Sequence, residues 1–154
     1  RDGMVIVNYA ERARDESFTT TPSVGVSKYL KVINGVLTEV NISSQITNRA
    51  WKWVKTVMND DAVIVPVKKD AFTITLKEDG SVSGTTDCNS FFGKYILGDN
   101  TVSFSEFGAT LMYCEGSQEG IFIQSLGEAQ SYFIDKDNNL VFEIKFDSGS
   151  MVFK

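Results

Sequence analysis

Histidine is absent from this chain of 154 residues, and that absence excludes more chemistry than any single motif assigns. Without imidazole there is no Ser-His-Asp or Cys-His catalysis and no His-containing metal site. Two cysteines are too few for a four-thiolate zinc site. Only two prolines are present, so Pro-rich linkers are absent. No apolar run approaches the ~20 residues of a bilayer-crossing helix, and no secretory h-region is present. The chain opens on Arg1 in place of Met, as a removed leader or a trimmed start would leave it. No run of Lys or Arg exceeds two, which leaves no polybasic segment to hold nucleic acid.

What is present suits an ordinary globular protein. Hydrophobic residues make up 42% and charged residues 23%, and eleven Phe, five Tyr and two Trp supply material for a core. The length suits one domain, or one domain with an extension. Residues 1–48 carry five basic and five acidic side chains, so the net charge of −5 resides in residues 49–154. A net-acidic body is repelled by nucleic-acid backbones and by anionic membrane surfaces, so neither is expected as a main partner.

Turn signals and alternation predict a chain of short strands. Residues 3–9 are β-branched and read as a strand, and residues 10–23 read as a polar loop ending near Pro22. Segments 28–33 and 36–42 flank Asn34-Gly35, a pair that accepts positive φ, so a type I′ hairpin is expected over residues 28–42. Residues 43–49 read as a polar link. Trp51 and Trp53 fall on one strand face. Residues 63–67 read as a strand that Pro66 marks as edge or irregular. Phe72, Ile74 and Leu76 alternate with polar residues, as Val102 and Phe104 do, and Leu140, Phe142, Ile144 and Phe146 continue the pattern. Between residues 117 and 130 the period changes to helical, with Ser117 as the expected N-cap and Glu119 in the first turn. Gly120 and Gly127 each weaken that helix by about 1 kcal/mol relative to Ala. About nine strands and one helix predict a mainly β fold: a small antiparallel cracked β-barrel or curled sheet covered by one α-helix, with an N-terminal hairpin extension.

The densest signature is Gly84-Thr-Thr-Asp-Cys88-Asn89-Ser-Phe-Phe-Gly93-Lys-Tyr95, answered by Thr110-Leu-Met112-Tyr-Cys114. Together with Trp51 and Trp53, with Phe72 to Leu76 before Asp79-Gly80, with Glu119, and with the closing strands at residues 140–144 and 151–153, these residues resemble the META/HslJ-like family. The resemblance covers roughly residues 50–154 and leaves 1–49 as an unassigned extension. It implies a cracked barrel with a helix, similar to the lipid-binding pilotins, in an envelope or secreted protein. It implies no catalytic residue. The family pattern and the paired count together point to a disulfide between Cys88 and Cys114 and so to an oxidising compartment. The alternative is two reduced buried thiols. A redox-active pair lacks the Cys-x-x-Cys spacing.

The remaining candidates read as fold determinants first. Asn89 is expected to fix an irregular turn by side-chain bonds to backbone. Gly84 and Gly93 are expected at bulges or close approaches, and Thr110 is expected to turn the chain into Met112. Asp79, Asp87, Asp99, Asp135 and Asp137 lie in predicted turns, where Asp bonds its own backbone. No spacing selects a glycosidase-like carboxylate pair. Asp135-Lys-Asp137-Asn-Asn139 resembles the start of a calcium loop, but the following Leu-Val-Phe-Glu143 departs from the required Gly and terminal Glu spacing. Trp51, Trp53, Phe91, Phe92 and Phe122 form the candidate apolar surface for a ligand or partner, with no cofactor or metal. The expected function is therefore a non-enzymatic envelope or secreted accessory protein that binds a hydrophobic small molecule or a partner protein. An interaction or inhibitory module with no ligand cavity is the alternative, and a carboxylate-based hydrolase the remote one.

Overall fold

The computed structural model describes residues 4–11, 17, 19, 21 and 24–154. The predicted loop 10–23 therefore lies largely outside the described residues. Two compact units divide the chain, Arg1–Gln45 and Ile46–Lys154.

The first unit is a three-stranded antiparallel sheet of its own. Strands β1 (Met4–Glu11), β2 (Val24–Ile33) and β3 (Val36–Glu39) lie in the order β1-β2-β3. Asn34 and Gly35 take φ of 51° and 79°, and Ile33 pairs with Val36, so the expected two-residue turn closes the β2–β3 hairpin. The link that follows carries a one-turn helix, α1 (Ser43–Ile46), where a polar connection was expected.

The second unit is mainly β. Its strands are β4 (Ala50–Met58), β5 (Val63–Ile64), β6 (Thr73–Leu76), β7 (Ser81–Thr85), β8 (Ser90–Leu97), β9 (Val102–Ala109), β10 (Ala129–Ile134), β11 (Leu140–Ile144) and β12 (Gly149–Phe153). They form one antiparallel sheet in the order β10-β11-β12-β4-β6-β7-β8-β9, with β5 beside β4. Strand β4 joins the halves: residues 50–52 pair with β6 and residues 53–58 with β12. A bridge between Thr101 and Ser131, and a bond from the Tyr132 N–H to Asn100 O at 3.0 Å, bring the two ends of the sheet together. The sheet is thus a barrel closed at one point and cracked along the rest of β9. Helix α2 (Glu119–Gly127) packs against β9 and β11 and buries Phe122 and Leu126.

Aromatic rings fill the interior. Phe122 contacts Phe153, Phe153 contacts Phe142, Phe142 contacts Phe104, and Phe104 contacts Phe107. Phe107 contacts Phe91, and Phe91 returns to Phe122, with centroid separations between 5.4 and 6.2 Å around the circuit. Trp53 and Phe72 pack on Phe122 at 5.3 and 5.0 Å. Edge-to-face, tilted and stacked pairs of this kind add about 0.5–1.5 kcal/mol each beyond their buried area.

Phe146 corrects the alternation argument. It is 94% exposed, with φ of 60°, because β11 ends at Ile144 and a short 3-10 turn (Lys145–Asp147) carries the chain into β12. The strand expected over residues 63–67 is reduced to the two residues of β5.

Candidate functional site

At the turn between β7 and β8 the chain runs Thr86-Asp87-Cys88-Asn89, too short and too polar to be buried without partners. Asn89 supplies them. Its Oδ1 accepts from Thr110 Oγ1 at 2.7 Å and from the Met112 N–H at 2.9 Å. Its Nδ2 donates to Met112 O and to Glu119 Oε1, both at 3.0 Å. Both amide donors and both lone-pair sites of the side chain are used. The expected side-chain-to-backbone role of Asn89 is met, and it reaches 23 residues along the chain to Met112.

Glu119 extends the clamp into the helix. Its Oε2 accepts from the Asn89 N–H at 3.1 Å and from the hydroxyl of Thr86. A carboxylate in the first turn of a helix also faces the positive end of the dipole. Asp87 accepts from the Gln118 N–H at 2.8 Å and from the Ser117 hydroxyl, and Ser117 Oγ accepts the Glu119 N–H at 3.1 Å. Ser117 thus caps an N-terminal donor of the helix, one residue ahead of the structural cap Gln118. Gln118 in turn accepts from the Val67 N–H at 2.7 Å and donates to Val65 O at 2.9 Å. Cys88 and Cys114 are joined by a disulfide across Cα atoms 5.8 Å apart.

The clamp holds an apolar rim in water. Leu111 is 100% exposed, Tyr113 90% and Met112 62%, with Val65 and Val67 exposed on the segment tied to Gln118. Met112 is fixed through both its backbone N–H and its carbonyl, and Cys114 is tethered two residues later. The cost of ordering the Met112 backbone is offset by the part-buried bonds of Asn89 and by the disulfide.

Beside the rim, between the end of β9 and α2, lies a cleft of about 400 Å³ lined by Phe91, Phe107, Ala109, Gly120, Ile123 and Gln124. A second cleft of about 280 Å³ lies between β4 and the β11–β12 turn, beside Glu143 and Asp147.

The other predicted residues sort by burial. Trp51, Trp53, Phe91 and Phe122 are 1%, 4%, 2% and 0% exposed, so they are core and do not form an apolar surface. Both indoles can sink because their N–H groups find partners inside: Trp51 donates to Ile46 O at 2.9 Å and Trp53 to Thr56 Oγ1 at 3.0 Å. Phe92 alone of that set is exposed, and its ring lies over Gly108, where a Cβ would sit 2.6 Å from it. Gly84 is a close approach, since a Cβ there would lie 1.9 Å from Thr73 O. Gly93 sits opposite a bulge in β9, where Glu106 takes φ of 54° and Phe107 turns toward the core rings. Tyr95 donates to Lys77 O at 2.6 Å, and burial, then the charges of Asp79 and Glu78, raises its pKa.

Asp79 and Asp135 are engaged within their own turns, whereas Asp87 reaches Ser117 and Gln118 at the start of the helix. Asp79 accepts from the Ser81 hydroxyl and N–H, which hold its carboxyl below the usual range. Among the described residues no group of three metal-ligating side chains converges. Sequence reasoning missed Leu111, Tyr113 and Gln118. The one signal available was three large side chains crowded between Thr110 and Cys114, which the motif alone presents as structural.

Comparison with known proteins agrees with this fold. The META domain family model matches residues 44–152. A protein from Burkholderia xenovorans, solved by NMR, superposes with a TM-score of 0.61 at 22% identity, over 73% of this chain and 85% of its own. A DUF4847 family protein from Bacteroides vulgatus superposes with a TM-score of 0.57 at 18% identity, over 73% of this chain and 95% of its own. At these identities the likeness shows the fold alone. No curated protein matches.

Proposed function

This chain belongs to the META domain family, and we propose that it acts as a non-enzymatic accessory protein that binds a partner protein through the rim at residues 111–113. The single observation that carries this reading is the exposure of Leu111, Met112 and Tyr113 on a backbone pinned by Asn89 and the disulfide. Exposed apolar groups on an ordered loop are the usual composition of an interface centre. The aromatic circuit supports a protein partner over a ligand inside the barrel, because side chains occupy the space that an enclosed ligand would need. The disulfide favours an oxidising compartment, the envelope or the exterior of the cell.

A photo-crosslinker placed at Tyr113, with one at the exposed Lys55 as control, tests the reading in the producing cell. One discrete adduct from Tyr113 and none from Lys55 is the expected result. Matching adducts from both sites, or a small molecule retained in native mass spectrometry with no protein adduct, would overturn it.

A further inference from the structure

The sulfur atoms of this chain differ sharply in access. Cys88 and Cys114 are joined to each other and no cysteine is free, so a mild oxidant meets no thiolate. Met151 in β12 is fully buried, and Met58 at the end of β4 is half-buried with its Sδ against Gly149. Met112 is 62% exposed, and among the described methionine side chains it is the only exposed one. An accessible thioether is the one an oxidant converts to the sulfoxide.

The position of Met112 makes that chemistry consequential. It stands between Leu111 and Tyr113, in the middle of the apolar rim. Asn89 holds its N–H at 2.9 Å and its carbonyl at 3.0 Å, and Cys88 Sγ lies 3.3 Å from the same carbonyl. While those contacts stand, the loop does not turn the side chain inward. An oxygen added at Sδ therefore stays on the rim. A sulfoxide is polar, and covering it with an apolar partner strips its water and returns no hydrogen bond.

We propose that Met112 is a site of reversible oxidation that switches the rim off. Peroxide transfers one oxygen atom to Sδ: its O–O bond breaks, the sulfur lone pair forms the S–O bond, and water leaves. Two thiols of a methionine sulfoxide reductase supply the electrons for the return. The oxygen departs as water and the two thiols close to a disulfide. This inference rests on the partner-protein reading above and names its regulation.

The test uses the purified full chain with the photo-crosslinker at Tyr113, hydrogen peroxide as oxidant, and an extract of the producing cells as the source of partner. Peptide mapping should show sulfoxide forming at Met112 roughly tenfold or more faster than at Met58 and Met151. After the peroxide is removed, the yield of the discrete adduct should fall roughly tenfold. The reductases for both sulfoxide epimers, pre-reduced and free of added thiol so that the Cys88–Cys114 bond stays closed, should restore it. A chain with Met4→Leu and Met58→Leu should keep both the loss and the recovery. In Met112→Leu the yield should be the same with and without peroxide. Equal oxidation rates at Met112, Met58 and Met151 overturn the proposal. So does an undiminished adduct from the Met112 sulfoxide, a loss that the reductases leave unrepaired, or a peroxide-sensitive adduct in Met112→Leu. An untreated adduct that peroxide leaves unchanged sinks the switch and spares the rim reading, whereas no adduct from the untreated chain sinks both.

Discussion

The two units use the same β-forming residues to opposite ends. In the first, Val32, Ile33, Val36 and Leu37 flank a well-formed turn and are all between 45% and 64% exposed. In the second, Phe72, Ile74 and Leu76 alternate along β6 and are all at 0%. Local turn chemistry and β-propensity are enough to pair strands in both. Burial is not a local property: it needs a sheet long enough to curl on itself and a ring of large side chains to fill the result. A three-stranded sheet has neither, which places it near the lower limit of independent stability.

Substitutions in the aromatic circuit and the hairpin press this contrast hardest. Phe122→Ala should cost about 3–5 kcal/mol, because its ring meets Trp53, Phe72, Phe91 and Phe153. Leu37→Ala should stay within about 0.5 kcal/mol. Urea unfolding followed by tryptophan fluorescence reads the barrel, since Trp51 and Trp53 both lie in it, and amide hydrogen exchange of β2 and β3 reads the first unit. A cost above about 2 kcal/mol for Leu37→Ala would break the contrast, since an exposed side chain should not carry it.

The disulfide comes next in size. Replacing Cys88 and Cys114 by Ser together should lower barrel stability by about 3.5 kcal/mol in the chain-entropy account, with no effect on the first unit. Asn89→Ala should follow at about 2–3 kcal/mol, because it strands both backbone groups of Met112 and one oxygen of Glu119. If Asn89→Ala is neutral in the oxidised protein, the disulfide alone holds the rim, and the clamp is redundant.

The smallest expected effect is a pH dependence at the β10–β11 turn. Burial, the largest single influence on Asp135, raises its pKa. Bonds from the Asn139 side chain and from the N–H groups of Asn139 and Asp137 outweigh it, and the carboxyl lies below 3.8. A depressed folded-state value gives stability that is present above the unfolded pKa and lost as pH falls through the folded one. Asp135→Asn should therefore flatten the acid limb of the barrel's stability curve, by less than about 1 kcal/mol at this solvent-screened site. An acid limb identical in wild type and variant would contradict it.

Much of the fold was legible in the sequence because period-two alternation reports which face a residue takes. That is why β6 and β9 stand where expected, as the Asn34-Gly35 hairpin does by its turn residues. Alternation does not report where a strand ends, and so Phe146 was grouped with a core that it never joins. Nor does it report closure. Trp51 and Trp53 read equally well as an exposed aromatic face until Ile46 O and Thr56 Oγ1 are seen to satisfy their N–H groups. The clamp was half legible. Asn89 and Glu119 each carried a local reason for their place, but their meeting depends on a contact 30 residues apart. The rim was illegible for the same reason: Leu-Met-Tyr is exposed because distant bonds at Asn89 and Cys88 hold the loop away from the core.

The account stands on that rim being ordered before any partner arrives. Backbone order parameters of residues 111–113 in the oxidised, unbound protein test this most directly. Values near 0.85, equal to those of β8, are predicted, and values below about 0.6 would show a loose apolar loop and contradict a prebuilt surface.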